Sequence, residues 1–192
     1  QIRDKGGVRS QFGHVNDIAP TILEVAGVAT PAVVDGIRQK PMDGTSLVYS
    51  FTDANAPERH RTQYFEVFGN RAIYHDGWMA SAFHNRLPWT RGVSTAEKPF
   101  EDDRWELYDL QHDYSQSRDL AAQEPQRLEK LKKLFTQEAA ANQVLPLQGP
   151  SMGDPAQPSL SRGRSEFSYY PGAVGVPEVG APKMLNRSWT MK

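Results

Sequence analysis

The sequence predicts an α+β fold in which a small four-stranded antiparallel sheet is covered by a helix and followed by an irregular tail. Three observations support this prediction. A short, strongly apolar helix is predicted near the start, and no run typical of a buried parallel strand accompanies it. Four short stretches of alternating apolar residues follow, separated by turn residues. A long amphipathic helix then completes this part of the chain.

The first predicted helix begins after His14. Asn16 or Asp17 is suited to the N-cap, Pro20 to the first turn and Gly27 to the C-cap. Apolar side chains cover much of the circumference of this helix: Val15, Ile18, Ile22, Leu23, Val25 and Ala26. We therefore expect it to pack between other helices and a sheet whose strands lie outside this sequence.

The middle of the chain predicts an irregular connection and then the sheet. Residues 30–53 contain scattered Pro and Gly, with one helical turn predicted at 46–51. Strands are predicted at 62–68, 71–74, 78–83 and 105–110. Asp76 and Gly77 both tolerate positive φ and predict a hairpin turn. In the last strand, period-two alternation predicts one buried face that carries Trp105 and Leu107.

The second predicted helix runs from Pro125 to about Ala141, because proline suits the first helical position and good helix formers follow it. Its apolar side chains form one stripe, which is expected to cover one face of the sheet: Leu128, Leu131, Leu134 and Phe135. Three lysines lie largely outside this stripe and are interpreted as a solvated face: Lys130, Lys132 and Lys133.

Composition excludes several classes of function. The 192 residues are 38% hydrophobic and 23% charged, with a net charge of -1, so bulk charge favours neither a nucleic-acid nor an anionic-membrane partner. No apolar run approaches the roughly 20 residues of a membrane span. The absence of cysteine excludes disulfides, thiolate metal sites and a cysteine nucleophile within this sequence, but it does not determine the compartment.

Several short motifs occur along the chain in a characteristic order: RSQFGHVNDIAPTILEVAG (9–27), YFE (64–66), GNRAIYHDGW (69–78), WELYDL (105–110), followed by Asp113, Asp119 and Leu120, and then VLPL (144–147). In this order they resemble the C-terminal part of bacterial type I arylsulfatases of the alkaline phosphatase superfamily. The stretches FSYYPG (167–172) and NRS (186–188) resemble the longer subgroup of that family. The resemblance departs at Gly13, where histidine is often repeated, at Asn16, where an aliphatic residue is usual, and at Met79, which replaces a common lysine.

The resemblance implies an organisation in three parts. Residues 1–60 would be the end of an incomplete alkaline-phosphatase-like α/β catalytic domain, with the helix after His14 as its last large helix. Residues 61–147 would be the C-terminal subdomain of antiparallel sheet and helix. Residues 148–192 would be a Pro- and Gly-rich tail that wraps the core or leads to a further domain. We therefore expect this sequence to be a C-terminal fragment of a longer protein.

The resemblance also implies hydrolysis of sulfate esters, in particular small aryl sulfates. In the family, a formylglycine made from the Cys or Ser of a Cys/Ser-x-Pro-x-Arg motif acts as the nucleophile in its hydrated form. A divalent cation, usually calcium, is held by Asp and Asn oxygens and stabilises the sulfate charge. This sequence contains no such motif, so no catalytic or metal-binding residue is assigned. We expect the fragment alone to be inactive and to bind no cofactor.

The long segment 84–103 supplies the only predicted site residues. His84 opens it and Trp89 lies within it, and both are candidates for the rim of a substrate pocket, although a structural role is favoured for His84. Tyr169 and Tyr170 either contact an aryl substrate or anchor the tail.

Three other polar groups are interpreted as structural. Asp102 and Asp103 are expected to solvate a loop, because adjacent strand residues point to opposite faces and do not pair on one metal. His112 with Asp113 offers too few oxygens for calcium. His14 is expected to enter the helix with a backbone hydrogen bond rather than act as a base.

Two functions of different classes therefore remain open. The first is a sulfate ester hydrolase of which this chain is a part. The second is a free-standing α+β interaction module whose proline-rich tail docks a partner. A related phosphodiesterase or phosphonate hydrolase is a third possibility, because a C-terminal subdomain does not determine which anion is cleaved. The compartment stays open, since the resembling bacterial enzymes are periplasmic or cytoplasmic.

Overall fold

The computed structural model describes residues 6–84, 98–147, 161, 163–176, 180–182 and 184–191. The chain divides into two compact units, 1–150 and 151–192, which are described separately. Trp89 lies outside the described residues.

The first helix begins with a 3₁₀ turn at Val15–Asp17 and continues as α1, Ile18–Ala26. Asp17 is the N-cap residue of α1, one of the two predicted positions. Gly27 ends the helix in the left-handed conformation, with φ 68°, and its N–H is directed at the Leu23 and Glu24 carbonyls. The predicted helix and its C-cap are confirmed.

Residues 30–53 are not uniformly irregular, so that prediction was wrong in part. They contain a hairpin of β1, Val33–Val34, and β2, Ile37–Arg38, joined by Asp35 at φ 50° and Gly36 at φ 79°. An Asp-Gly pair between apolar residues is the signal that predicted the turn at Asp76, and it is equally present here. The helical turn predicted at 46–51 is a 3₁₀ turn at Val48–Ser50.

The main sheet is an antiparallel meander in the order β3-β4-β5-β6. Its strands are β3, Thr62–Val67, β4, Asn70–His75, β5, Trp78–Ala82, and β6, Trp105–Asp109. The two hairpin turns use paired residues with positive φ, as primed turns require: Phe68 and Gly69 in the first, Asp76 and Gly77 in the second. The α+β fold class is therefore as predicted.

Helix α2, Pro125–Ala141, covers one face of this sheet. Its buried side chains face the sheet residues that stand opposite one another in the register: Leu131, Phe135 and Ala139 on the helix, and Ile73, Ala80 and Leu107 on the strands. The rings of Trp105 and Phe135 meet edge to face with centroids 5.9 Å apart. The predicted helix, its stripe and the face it covers are confirmed.

The opposite face of the sheet is also covered in part, which the sequence analysis did not anticipate. Phe12 stacks on Tyr74 with ring centroids 3.8 Å apart, and His14 meets Phe65 edge to face. Tyr108 is also buried, although it directly follows the buried Leu107. The prediction of a single buried face for the last strand was wrong, because these two neighbours point to opposite faces and both are buried.

Among the described residues of the second unit there is no α-helix or strand. Tyr170 begins a turn, and its carbonyl accepts a hydrogen bond from the Ala173 N–H. Tyr169 and Tyr170 are exposed, as are Leu185 and Trp189.

Candidate functional site

A buried carboxylate joins the start of α1 to the entry of the main sheet. Asp17 accepts hydrogen bonds from the backbone N–H groups of His14, at 2.8 Å, and Thr45, at 2.7 Å. His60, two residues before β3, donates Nδ1–H to the same carboxylate at 2.7 Å. Its Nε2 lies 3.1 Å from the carbonyl oxygen of Thr62. Both polar ends of the imidazole are therefore occupied within the fold.

The charge of Asp17 is compensated by these donors. Burial by itself would raise the pKa of this carboxyl, but the hydrogen bonds from His14, Thr45 and His60 outweigh burial and lower the pKa below its usual value. The carboxylate is thus held ionised and fully enclosed. A buried, paired carboxylate of this kind orders neighbouring segments, because no other side chain satisfies all these donors at once.

The second buried carboxylate belongs to Asp103, which lies between β5 and β6. Asp103 accepts hydrogen bonds from Arg71 of β4 at 2.7 Å and from His84 Nδ1 at 2.9 Å, and it forms an ion pair with Lys98 at 2.7 Å. His84 also stacks on Phe100 with ring centroids 4.1 Å apart. Burial opposes ionisation, but Lys98, His84 and Arg71 lower the pKa of Asp103.

The prediction that Asp102 and Asp103 both solvate a loop was wrong for Asp103. Asp102 ends an exposed 3₁₀ turn, whereas Asp103 turns inward to a guanidinium, an imidazole and an ammonium. No local pattern marks it, since its partners lie up to 32 residues away in sequence. His84, proposed for a pocket rim, is buried in this cluster.

The other candidate residues occupy turns and caps. Asp113 accepts hydrogen bonds from Ser115, Ser117 and the Arg118 N–H, and these bonds lower its pKa to about 2. The exposed His112 bonds Asp109. Both residues therefore organise the turn after β6.

The His14 N–H bonds the Asp17 carboxylate as the chain enters α1. This bond places His14 at the entry to the helix, as predicted, but it is made by the backbone N–H, and the imidazole Nδ1 is buried without a hydrogen-bond partner among the described residues.

One open cavity of about 870 Å³ lies against the main sheet. All six residues of β3 line it, together with His14 and Asn16 from the N-terminal segment, Glu138 of α2 and Asn142, the C-cap residue of α2. Farther along, Phe83 and Glu106 contribute to its surface. His84 is not among the lining residues.

Within the described ranges, no group of three His, Cys, Asp or Glu side chains is arranged to hold a metal ion. Among the described residues, the two histidines whose rings contact buried carboxylates, His60 and His84, are themselves buried and oriented by the fold. In the part of the chain that the structure describes, no helix is long and apolar enough to cross a membrane.

No family model matches the chain. It is similar in structure to a Bacteroides thetaiotaomicron protein described as 6S-sulf, from the metabolism of multiple glycosaminoglycans, at 17% identity and a TM-score of 0.44, over 65% of this chain and 24% of that one. It is also similar to a protein solved in complex with its substrate, D-glucosamine-2-N,6-O-disulfate, at 19% identity and a TM-score of 0.43, over 68% of this chain and 24% of that one. The chain thus spans about a quarter of the length of each.

Proposed function

We propose that this chain is the C-terminal part of a sulfate ester hydrolase of the arylsulfatase type. The ordered sequence motifs from residue 9 to residue 147 support the family, and the observed α+β fold agrees with them. The chain itself would serve structurally, by completing the catalytic domain with a small sheet and helix. Loops beyond the sheet, including the segment that begins at His84, would shape the pocket wall.

The exposed apolar face of α1 is the observation that carries this proposal. Ile18, Ile22 and Val25 are 55%, 60% and 64% exposed, although they are the most apolar residues of the helix. Within the described residues, no parallel strand faces them. A helix this apolar gains stability only when its face is covered, which supports packing on a sheet supplied by the rest of an intact enzyme.

The residues present do not fit a calcium site, because no three acidic or histidine side chains converge within the described ranges. In the proposal, calcium and the formylglycine belong to other residues of the intact protein. Formylglycine would supply the nucleophilic hydroxyl for attack on sulfur. Within this chain, Asp17 joins the start of α1 to the segment at Thr45, and Asp103 is bonded to Arg71 of β4.

The direct test is hydrolysis by the complete natural polypeptide that contains this chain. We expect turnover of 4-nitrophenyl sulfate that chelation of divalent cations abolishes, and no turnover by residues 1–192 alone. D-Glucosamine 6-sulfate in the same assay distinguishes a sulfated-sugar substrate from an aryl sulfate. Hydrolysis of bis-4-nitrophenyl phosphate or a phosphonate ester in place of sulfates would assign the related activity instead.

A non-catalytic interaction module is the second candidate, and the exposed aromatic residues of the tail favour it. Tyr169, Tyr170 and Trp189 are all exposed, as in segments that dock on another protein. If the complete polypeptide hydrolyses none of these esters, the hydrolase proposal fails and the module remains.

A further inference from the structure

The rest of the chain covers one edge of the main sheet and leaves the other edge open. An edge strand presents unpaired N–H and C=O groups to its surroundings, and proteins usually cover, shorten or charge such an edge. In this sheet β3 and β6 are the two edge strands. The outward backbone groups of these two strands differ in their hydrogen-bond partners.

The edge at β6 is covered by the segment that leads to α2. The Leu107 N–H donates to the Asp119 carboxylate at 3.0 Å, and the Leu107 carbonyl accepts from the Leu120 N–H at 2.8 Å. Both outward backbone groups at the centre of the strand are therefore satisfied. This bonding also shows that Glu106 and Tyr108 are the residues directed at β5, because direction alternates along a strand.

The edge at β3 is open at its centre. Applying the same alternation across the register directs the backbone of Thr62, Tyr64 and Glu66 outward. The Thr62 carbonyl faces His60 Nε2, and the Tyr64 carbonyl accepts from the Gln63 side chain. Among the described residues, no partner accounts for the Tyr64 N–H or for the N–H and C=O of Glu66.

The open edge lies along the cavity rather than on a convex surface. The cavity lining contains every residue of β3, with Glu138 of α2 and the C-cap residue Asn142 on the helix side and His14 with Asn16 on the other. A recessed edge of this kind admits one extended strand.

The charge around the cavity selects the occupant. Four carboxylates line it, and the only guanidinium or ammonium among the described lining residues, Arg71, is bound to Asp103. The carboxylates are Asp43, Glu66, Glu106 and Glu138. We propose that β3 is a docking edge, to which an extended lysine- or arginine-bearing segment of a partner protein adds as a fifth strand. Backbone hydrogen bonds to Tyr64 and Glu66 would provide affinity, and the carboxylates would provide selectivity.

Amide hydrogen exchange on the complete natural polypeptide tests this proposal directly. The probe is acetyl-Lys-Val-Lys-Val-Lys-Val-amide, with the Glu-Val analogue as the charge control. We expect the Tyr64 and Glu66 amides to exchange rapidly without peptide and at least about tenfold more slowly with saturating basic peptide. The Glu-Val peptide, and a basic peptide with methylated backbone nitrogens, are expected to leave them unprotected.

Charge-reversal variants test the selectivity without touching the sheet. Asp43→Lys with Glu138→Lys is expected to weaken binding of the basic peptide by about tenfold or more. The matched control, Asp53→Lys with Glu129→Lys, makes the same charge change on residues outside the cavity and is expected to leave the affinity unchanged. Circular dichroism confirms that both variants fold.

Several results would overturn the proposal. Binding of the peptide without protection of Tyr64 and Glu66 would make it a surface charge effect. Protection of these amides before any peptide is added would show that another part of the polypeptide already covers the edge. Protection that rises with protein concentration, together with a dimer in light scattering, would assign the edge to a second copy.

Discussion

The two α-helices each carry an apolar stripe, but only α2 buries its stripe within this chain. Leu131, Phe135 and Ala139 of α2 lie against the main sheet and are almost fully enclosed. Helix α1 has no buried residue of its own, and Ile22 is exposed at the centre of its apolar face. The contrast shows that an apolar pattern by itself does not determine whether a helix face is buried within this chain.

The largest expected effect compares one residue from each stripe. Phe135→Ala is expected to lower the free energy of unfolding by about 3–5 kcal/mol, because it leaves a cavity between α2 and the sheet. Ile22→Ala in residues 1–192 is expected to change it by no more than about 0.5 kcal/mol, since little apolar area is lost from contact. Urea denaturation of both variants measures the difference.

The Ile22→Ala variant also tests the proposal that a sheet outside this sequence covers α1. In the complete natural polypeptide, Ile22→Ala is expected to cost about 2–4 kcal/mol, because the proposed sheet would cover the side chain. If Ile22→Ala changes the free energy of unfolding by nearly zero in both proteins, the apolar face of α1 is exposed in the complete polypeptide as well. The difference between α1 and α2 would then hold for the complete polypeptide.

An intermediate effect is expected at the carboxylate that anchors α1. Asp17→Asn removes the charge bonded by His60 and the Thr45 N–H, and it is expected to destabilise residues 1–192 by about 3 kcal/mol. Hydrogen exchange should show faster exchange in α1 than in β4 and β5. Asp43→Asn, an exposed carboxylate, serves as the matched control.

The same carboxylate predicts how stability depends on pH. Because folding lowers the pKa of Asp17, its contribution is present above the ordinary aspartate pKa of about 3.9 and is lost as the pH falls toward the lower folded value. Wild-type stability should therefore decrease below about pH 4, and the Asp17→Asn variant should lose less over that range. Identical acid profiles of the two proteins would contradict this account.

The smallest expected effect compares a glycine from each region. Gly69→Ala is expected to cost about 2 kcal/mol, because φ is 83° and the added Cβ would lie 2.7 Å from Phe100 and 2.9 Å from His84. Gly27→Ala has a positive φ but no neighbour within 4 Å, so about 1 kcal/mol is expected. Thermal denaturation of both variants measures the difference. If the melting temperatures of the two variants fall by the same amount, Phe100 and His84 are packed around Gly69 more loosely than these distances indicate.

Local sequence signals predicted most of the regular structure. Pro125 and the spacing of Leu131 and Phe135 predicted α2 from its first residue, and Gly27 predicted the end of α1. The hairpin at Asp35 was missed although its Asp-Gly signal was present. The correct predictions of α2 and of the end of α1 depend on interactions between residues close together in sequence, so they can be read from the sequence directly.

The candidate sites were predicted far less well. Asp17 was predicted only as a possible N-cap, His60 was not singled out, and Asp103 was expected in solvent. Three of their partners, Thr45, His60 and Arg71, are 28 to 43 residues away, so no periodicity or motif reveals those pairings. The open edge of β3 also follows from sheet order and from what covers each edge, neither of which is a property of the strand itself.

The sequence alone determined the helices, the meander of short strands and the resemblance to arylsulfatases, because turns, caps and apolar spacing act between near neighbours. Only the tertiary structure decided that Asp17 and Asp103 are buried, that α1 keeps an exposed apolar face and that one sheet edge is covered while the other is open. Burial and hydrogen-bond pairing depend on contacts between segments that are distant in sequence, and the whole fold determines which of those segments are in contact.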